Sequence, residues 1–260
     1  MPDIYIEEWP PYAPNDEARR QSVVMAARMM ANAAITAPSQ GGVPMVECHI
    51  VYGAADLDKV ARKMEEIARL RPKNNRWKRM FKYEAAMVRD SDGILFLGGL
   101  AAFRPFDLGC SQCGGSGGCQ FVYKRHKGRY GHVDPTEPEH PNWLVDGPMC
   151  TMNAAGLGWA VGSALMLANR LFVDARPMMS VGVAGQKMGY CPKSPIVVGV
   201  PVAAKAKSPY VDVLPDYHMH NLSRVVDTLR DKYVVARMVK WLDYRHWDPL
   251  NPDDGQGKEG

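Results

Sequence analysis

Apolar residues recur at three- and four-residue spacing in the first long segment: Val23, Val24, Ala27, Met30, Ala31 and Ala34. That spacing lines one face of a helix. Asn15-Asp16-Glu17 offers a capping side chain and early acids, so a helix is expected from there to about Ile35. The breaker-rich run Thr36-Ala37-Pro38-Ser39-Gln40-Gly41-Gly42 stops it. Met45 to Tyr52 reads as a strand and Gly53 to Asp56 as a turn. A second helix follows over 57–70, with Leu57, Val60, Ala61, Met64, Ile67 and Ala68 on one face and Pro72 at its end. A third is expected over 75–89.

Downstream the pattern changes to short, wholly apolar runs. Gly93 to Gly98 has the signature of a buried strand, and Met179 to Val183 and Pro195 to Val202 are read the same way. Between them Cys150 opens a long apolar helix, to about Val173, rich in small residues such as Ala154, Gly156, Gly158, Ala160 and Gly162. Small side chains permit close packing, which places this helix deep in the core. One further helix is expected over 222–244. Helices alternating with short apolar strands predict an α/β or α+β layered domain whose sheet is covered. The expected organisation is an extended, proline-containing arm over 1–14, a domain over 15–215 with a polar insert at 120–149, and a C-terminal extension over 216–260. No internal repeat interrupts this scheme.

Composition narrows the class. With 46% hydrophobic residues in 260, the chain can bury one sizeable core. No run of about eighteen apolar residues occurs, so no membrane span is expected. The acidic start, Met1 to Glu8, lacks the apolar region of a signal peptide, and a cytoplasmic location is the expectation. A net charge of +4 does not call for nucleic acid. Basic residues do cluster, from Arg71 to Lys82 and from Lys124 to Arg129. A solvated face is the simpler reading of each; the functional one is a docking surface for an acidic partner.

Six cysteines occur, three of them within Cys110-Ser-Gln-Cys113-Gly-Gly-Ser-Gly-Gly-Cys119. Such crowding points to metal or redox chemistry. A Cys-x-x-Cys turn brings two sulfurs to one side, and Cys119 and Cys150 supply two more. Four converging thiolates suit an iron–sulfur cubane. Gly114, Gly115, Gly117 and Gly118 lack a Cβ and can turn their amides inward toward negatively charged cluster sulfides. Cys150, at a helix start, gains from the helix dipole. Zinc uses the same ligand type, and on spacing alone it stays open. A redox pair at Cys110 and Cys113 is a third reading. Cys48, within a strand, reads as an ordinary buried thiol. Cys191, between Gly189-Tyr190 and Pro192-Lys193, reads as a loop residue able to replace one of the four ligands.

Several stretches together resemble a known family. They are Ala33-Ala34-Ile35-Thr36-Ala37-Pro38, Leu57 to Ala68, Val88 to Leu95, the Cys110–Cys119 loop, Cys150 through Leu167, and Ile196 to Val202 followed by Lys207-Ser208-Pro209-Tyr210. They resemble, in order, the uncharacterised ferredoxin-domain-containing proteins of anaerobic bacteria and archaea. The resemblance implies a 4Fe-4S cluster on Cys110, Cys113, Cys119 and Cys150, and it moves iron–sulfur ahead of zinc. It implies an electron-transfer protein, a subunit or partner of an anaerobic redox enzyme, meeting a ferredoxin or an oxidoreductase subunit.

A second resemblance is to the nitroreductase scaffold, through Ala37-Pro38-Ser39, the small-residue helix and Val198-Gly199-Val200-Pro201. It implies a nitroreductase-like sheet, FMN held between two subunits, and a flavin-dependent reductase as the alternative function. Arg19-Arg20-Gln21-Ser22 only echoes that family's arginine-rich phosphate-binding start, and Gln40-Gly41-Gly42-Val43-Pro44 stands where it has Asn-x-Gln-Pro. A structural zinc or nucleic-acid module using residues 71–82 is the remaining alternative. Tyr217, Tyr233, Trp241, Tyr244 and Trp247 give the extension two readings, an arm on another subunit of a homo-oligomer or a helix closing the chain's own core. His218-Met-His220 and the acids Asp107 and Asp146 are weaker site candidates, and Lys205 and Lys207 read as exposed loop lysines.

Overall fold

The sheet is covered on both faces because its strands carry apolar residues on both faces. In the computed structural model, which describes residues 17–39, 45–70, 73, 75–100, 110–113, 150–205 and 208–210, every position of the strand Gly93–Gly99 is buried. The elements in chain order are α1 (Glu17–Ile35), β1 (Val46–Tyr52), α2 (Ala54–Arg69), α3 (Asn75–Arg89), β2 (Gly93–Gly99), α4 (Thr151–Arg170), β3 (Asp174–Ala175), α5 (Met179–Lys187) and β4 (Ile196–Ala203). The strands form one sheet in the order β1-β2-β4-β3, with every pairing antiparallel. The described residues all belong to one compact unit, Met1–Tyr210. Among them, no helix is long and apolar enough to cross a membrane.

Strand register sorts the core into two layers, because successive side chains point to opposite faces. Leu95 and Leu97 of β2 join Val198, Val200 and Val202 of β4 under α1 and α4, against Val23, Met30, Ala34, Leu157, Ala160 and Ala164. Ile94 and Phe96 point the other way, toward the layer formed by α5, α2 and α3. There Leu57, Val60, Met64 and Ile67 of α2 and Phe81 and Val88 of α3 are buried. Trp77 donates from Nε1 to the Ile67 carbonyl at 3.0 Å and stacks at a tilt on Phe81, closing the α2–α3 corner.

The helix expectations over 75–89 and from Cys150 hold, as do the strands near 45–52, 93–98 and 195–202. One element differs. Met179 to Val183, expected as a strand, lies inside the helix α5. Apart from Ser180 this run is apolar, and the helix is buried from Ser180 to Gln186. Over so short a run, periodicity does not separate helix from strand. Two glycines let it descend onto the sheet. A Cβ on Gly182 would lie 1.9 Å from the Val197 carbonyl oxygen, and one on Gly185 would lie 2.2 Å from the Phe96 ring.

The depth of α4 also differs from expectation. Only one stripe of it, Leu157, Ala160, Val161, Ala164 and Ala168, is buried. Trp159 is 46% and Met166 58% exposed, and a Cβ on Gly156, Gly158 or Gly162 would meet nothing within 4 Å. These three glycines are therefore not close-packing points among the described residues. The arm 1–14, the insert 120–149, the helix expected at 222–244, the extension 216–260, and His218, His220, Asp107, Asp146 and Lys207 lie outside the described residues. Lys205 is described and half-buried.

Candidate functional site

The start of α4 carries Cys150. Cys150 is the N-cap residue, with extended backbone (φ −64°, ψ 122°) and no side-chain capping bond. Its carbonyl accepts the first helical hydrogen bond, from the Ala154 N–H at 3.1 Å. Helix starts leave backbone N–H groups without partners in the helix and carry partial positive charge, worth about 0.3–1 kcal/mol to a nearby anion. Cys150 is half-buried beside these groups.

The Cys-x-x-Cys turn meets this helix start directly. Thr151, the first residue of α4, donates its hydroxyl to the Gln112 carbonyl at 2.8 Å, a link between positions 39 apart in sequence. Gln112 lies between Cys110 and Cys113, so both thiols of the turn belong to a segment tied to the residue after Cys150. Ser111 adopts φ 57°, the left-handed region that favours glycine, and this folds the turn back on itself. Cys110 is exposed and Cys113 half-buried. Sequence reasoning missed Thr151 and Gln112. A hydroxyl at a helix start signals a bond to nearby backbone, but nothing local identifies a carbonyl so far upstream.

Cys119 and the glycines Gly114, Gly115, Gly117 and Gly118 lie outside the described residues. Among the described residues, no group of three or more His, Cys, Asp or Glu side chains is arranged to hold a metal ion. The described part contains a turn with two thiols and a helix cap with one, and the Thr151–Gln112 hydrogen bond joins the turn to the helix. Thiol sulfur is the donor type that soft metal centres take, so the residues present fit an iron–sulfur cluster or zinc.

The other two cysteines differ in kind. Cys191 is 1% exposed, and burial pushes its thiol up to about 12, with the Glu47 carboxylate adding to the effect. It sits beneath Gly98, on the α5 side of the sheet, whereas α4 covers the opposite side. The sheet therefore separates Cys191 from α4, and its place as a substitute ligand finds no support in this geometry. Its neighbours form a local lock. Ser194 Oγ and the Lys193 N–H donate to the Glu47 carboxylate at 2.9 and 3.1 Å, and Tyr190 stacks on His49 with ring centres 4.5 Å apart. Cys48 packs against the α1–α4 core, and burial pushes its thiol up to about 11, in keeping with a structural thiol.

A cleft adjoins the site, lined by Ala37, Pro38 and Ser39 after α1 and by Met152, Asn153 and Gly156 of α4. The Asn153 Oδ1 atom is buried there without a hydrogen-bond partner among the described residues. Arg19, which echoes a phosphate-binding arginine, is instead engaged with Asp92 and with the Ala204 carbonyl. The basic stretch from residue 71 leads into α3, which packs on the side of the sheet away from α4. Lys73 and Lys82 are exposed, as a solvated face requires, while Phe81 and Ala85 turn inward.

Comparison with known proteins agrees with the sequence resemblance. A model of the family described as "Uncharacterized protein containing a ferredoxin domain (DUF2148)" matches residues 146–212, a span that holds Cys150 but not the Cys110–Cys119 loop. An uncharacterized protein of Archaeoglobus fulgidus is 33% identical over 197 residues, covering 76% of this chain and 95% of the relative. Among solved structures, the fold is similar to that of a nitroreductase with bound FMN from Desulfitobacterium hafniense. The TM-score is 0.44 at 10% identity, covering 70% of this chain and 78% of that one. Nitroreductase A from Vibrio parahaemolyticus matches with a TM-score of 0.41 at 12% identity, covering 89% and 88%.

Proposed function

This chain belongs to the family of uncharacterized proteins containing a ferredoxin domain, and from that premise we propose that it is an iron–sulfur electron-transfer protein whose ligands are Cys110, Cys113, Cys119 and Cys150. The observation that carries the reading is the bond from Thr151 to Gln112, which ties the Cys-x-x-Cys turn to the helix capped by Cys150. A ferredoxin domain implies an iron–sulfur cluster; four thiols make the 4Fe-4S type the one proposed. When bound, such a cluster supplies one-electron transfer with little rearrangement.

The chain's own part is to hold and tune. Cys110 and Cys113 offer two thiolates from one turn, and Cys150 offers a third from the N-terminus of α4, where the helix dipole offsets negative charge. The glycines Gly114, Gly115, Gly117 and Gly118 would leave room for amides to approach the cluster, which raises its potential. The exposure of Cys110 supports approach of a redox partner, a ferredoxin or an oxidoreductase subunit, from that side. The exposed apolar stripe of Trp159 and Met166 supports association with a second copy.

Anaerobic purification with iron, sulfide, zinc and flavin assays, and EPR of the reduced protein, tests this. About four iron and four sulfide per chain are expected, falling sharply in Cys150→Ser. Zinc without iron or sulfide would overturn it in favour of a structural zinc module. An FMN-dependent reductase fed by the cluster is the second reading. The cleft beside α4 favours it, the engagement of Arg19 with Asp92 does not, and flavin absorbance in the fresh protein decides.

A further inference from the structure

Resting on the cluster reading, we propose that Thr151 is a positioning residue of the site: its hydroxyl clamps the Cys110–Cys113 turn to α4 and fixes the orientation of the Gln112–Cys113 peptide. Thr151 is exposed, and its hydroxyl donates to the Gln112 carbonyl at 2.8 Å. The peptide is planar and trans, so a carbonyl held toward Thr151 turns the Cys113 N–H the opposite way. An unrestrained peptide could rotate and change which of its dipoles faces the neighbouring thiols. The turn also needs an outside restraint, because Ser111 sits at φ 57°, a conformation L side chains rarely adopt. A bond reaching it from the helix carrying Cys150 supplies one. The clamp thus sets how two ligands stand relative to a third before any metal arrives.

The test compares Thr151→Val, which keeps the shape and loses the hydroxyl, with Thr151→Ser, which keeps the hydroxyl. Three quantities are read in the full chain: the rate of iron release to a chelator, the rate of Cys113 alkylation in the metal-free protein, and the melting temperature. Thr151→Val should release iron about five-fold faster, the factor that one ordinary hydrogen bond represents. It should also alkylate faster at Cys113, with an unchanged melting temperature, and Thr151→Ser should behave as wild type. Wild-type rates in Thr151→Val overturn the proposal. So does a faster release that follows a lowered melting temperature and is not rescued by serine, since that marks a general structural role. Wild-type protein that takes up no iron or sulfide overturns the cluster reading instead; the alkylation rates then still decide whether Thr151 holds the turn.

Discussion

Arg19 and Asp92, 73 positions apart, form an ion pair that joins the first turn of α1 to the residue preceding β2. Asp92 is 2% exposed and also accepts the Ala204 N–H at 3.0 Å, just beyond β4. One carboxylate therefore ties a helix to the ends of two strands. Removing one partner of a buried pair leaves the other charge without compensation. Asp92→Ala is expected to lower unfolding stability by about 3 kcal/mol, measured by urea denaturation. A loss under about 1 kcal/mol would show that the pair is not a structural tie.

Gly182 and Gly158 should respond oppositely to alanine. At Gly182 the new methyl would meet the Val197 carbonyl and the Val198 Cα, which are backbone atoms that cannot swing aside. Gly182→Ala is expected to cost about 3 kcal/mol through forced separation of α5 from β4. At Gly158, with nothing within 4 Å, alanine should be neutral or stabilise by up to about 1 kcal/mol through helix propensity. Equal effects in chemical denaturation would contradict the close contact of α5 with the sheet.

Glu84 gives the fold a pH dependence of unusual sign. Burial raises its carboxyl above the ordinary value, while the Ser180 hydroxyl bonded to it and the Arg176 charge act in the opposite direction. A carboxyl raised on folding binds more protons in the folded state. Its contribution is fully present below the unfolded pKa and is lost as pH rises through the folded pKa. Glu84→Gln removes this loss. Its melting temperature relative to wild type should therefore improve from pH 4 to pH 7. A difference that is flat, or that moves the other way, would mean that Glu84 is not held in the buried setting described.

Thiol labelling should separate the cysteines by position. In the folded, metal-free protein at pH 8, Cys110 is exposed and should alkylate early. Cys191, covered and with its thiol pushed up to about 12, should stay unlabelled until the protein unfolds. Mass spectrometry of timed digests reads this directly. Early labelling of Cys191 would restore it as a possible ligand.

Periodicity marks α2, and with its capping and breaker residues α1, because each buries one stripe and exposes another, as Leu57, Val60, Met64 and Ile67 show against their charged neighbours. It was sufficient for β2 too, where seven buried apolar positions match a strand covered on both sides. It failed at α5, since a helix buried all round has no polar stripe to mark its turn. At α4 the small residues point to a helix deep in the core, while Trp159 and Met166 stand at the surface.

Cysteine type and spacing alone were enough to nominate Cys110, Cys113, Cys119 and Cys150, because thiol chemistry is a local property of the residues. What folding alone decided is which distant groups meet. The placement of Cys191 across the sheet from α4, the pairing of Arg19 with Asp92, and the bond from Thr151 to Gln112 all follow from strand register and helix packing. Such contacts form between residues whose separation along the chain carries no periodic signal. Each needs the whole core assembled before its partners come within reach.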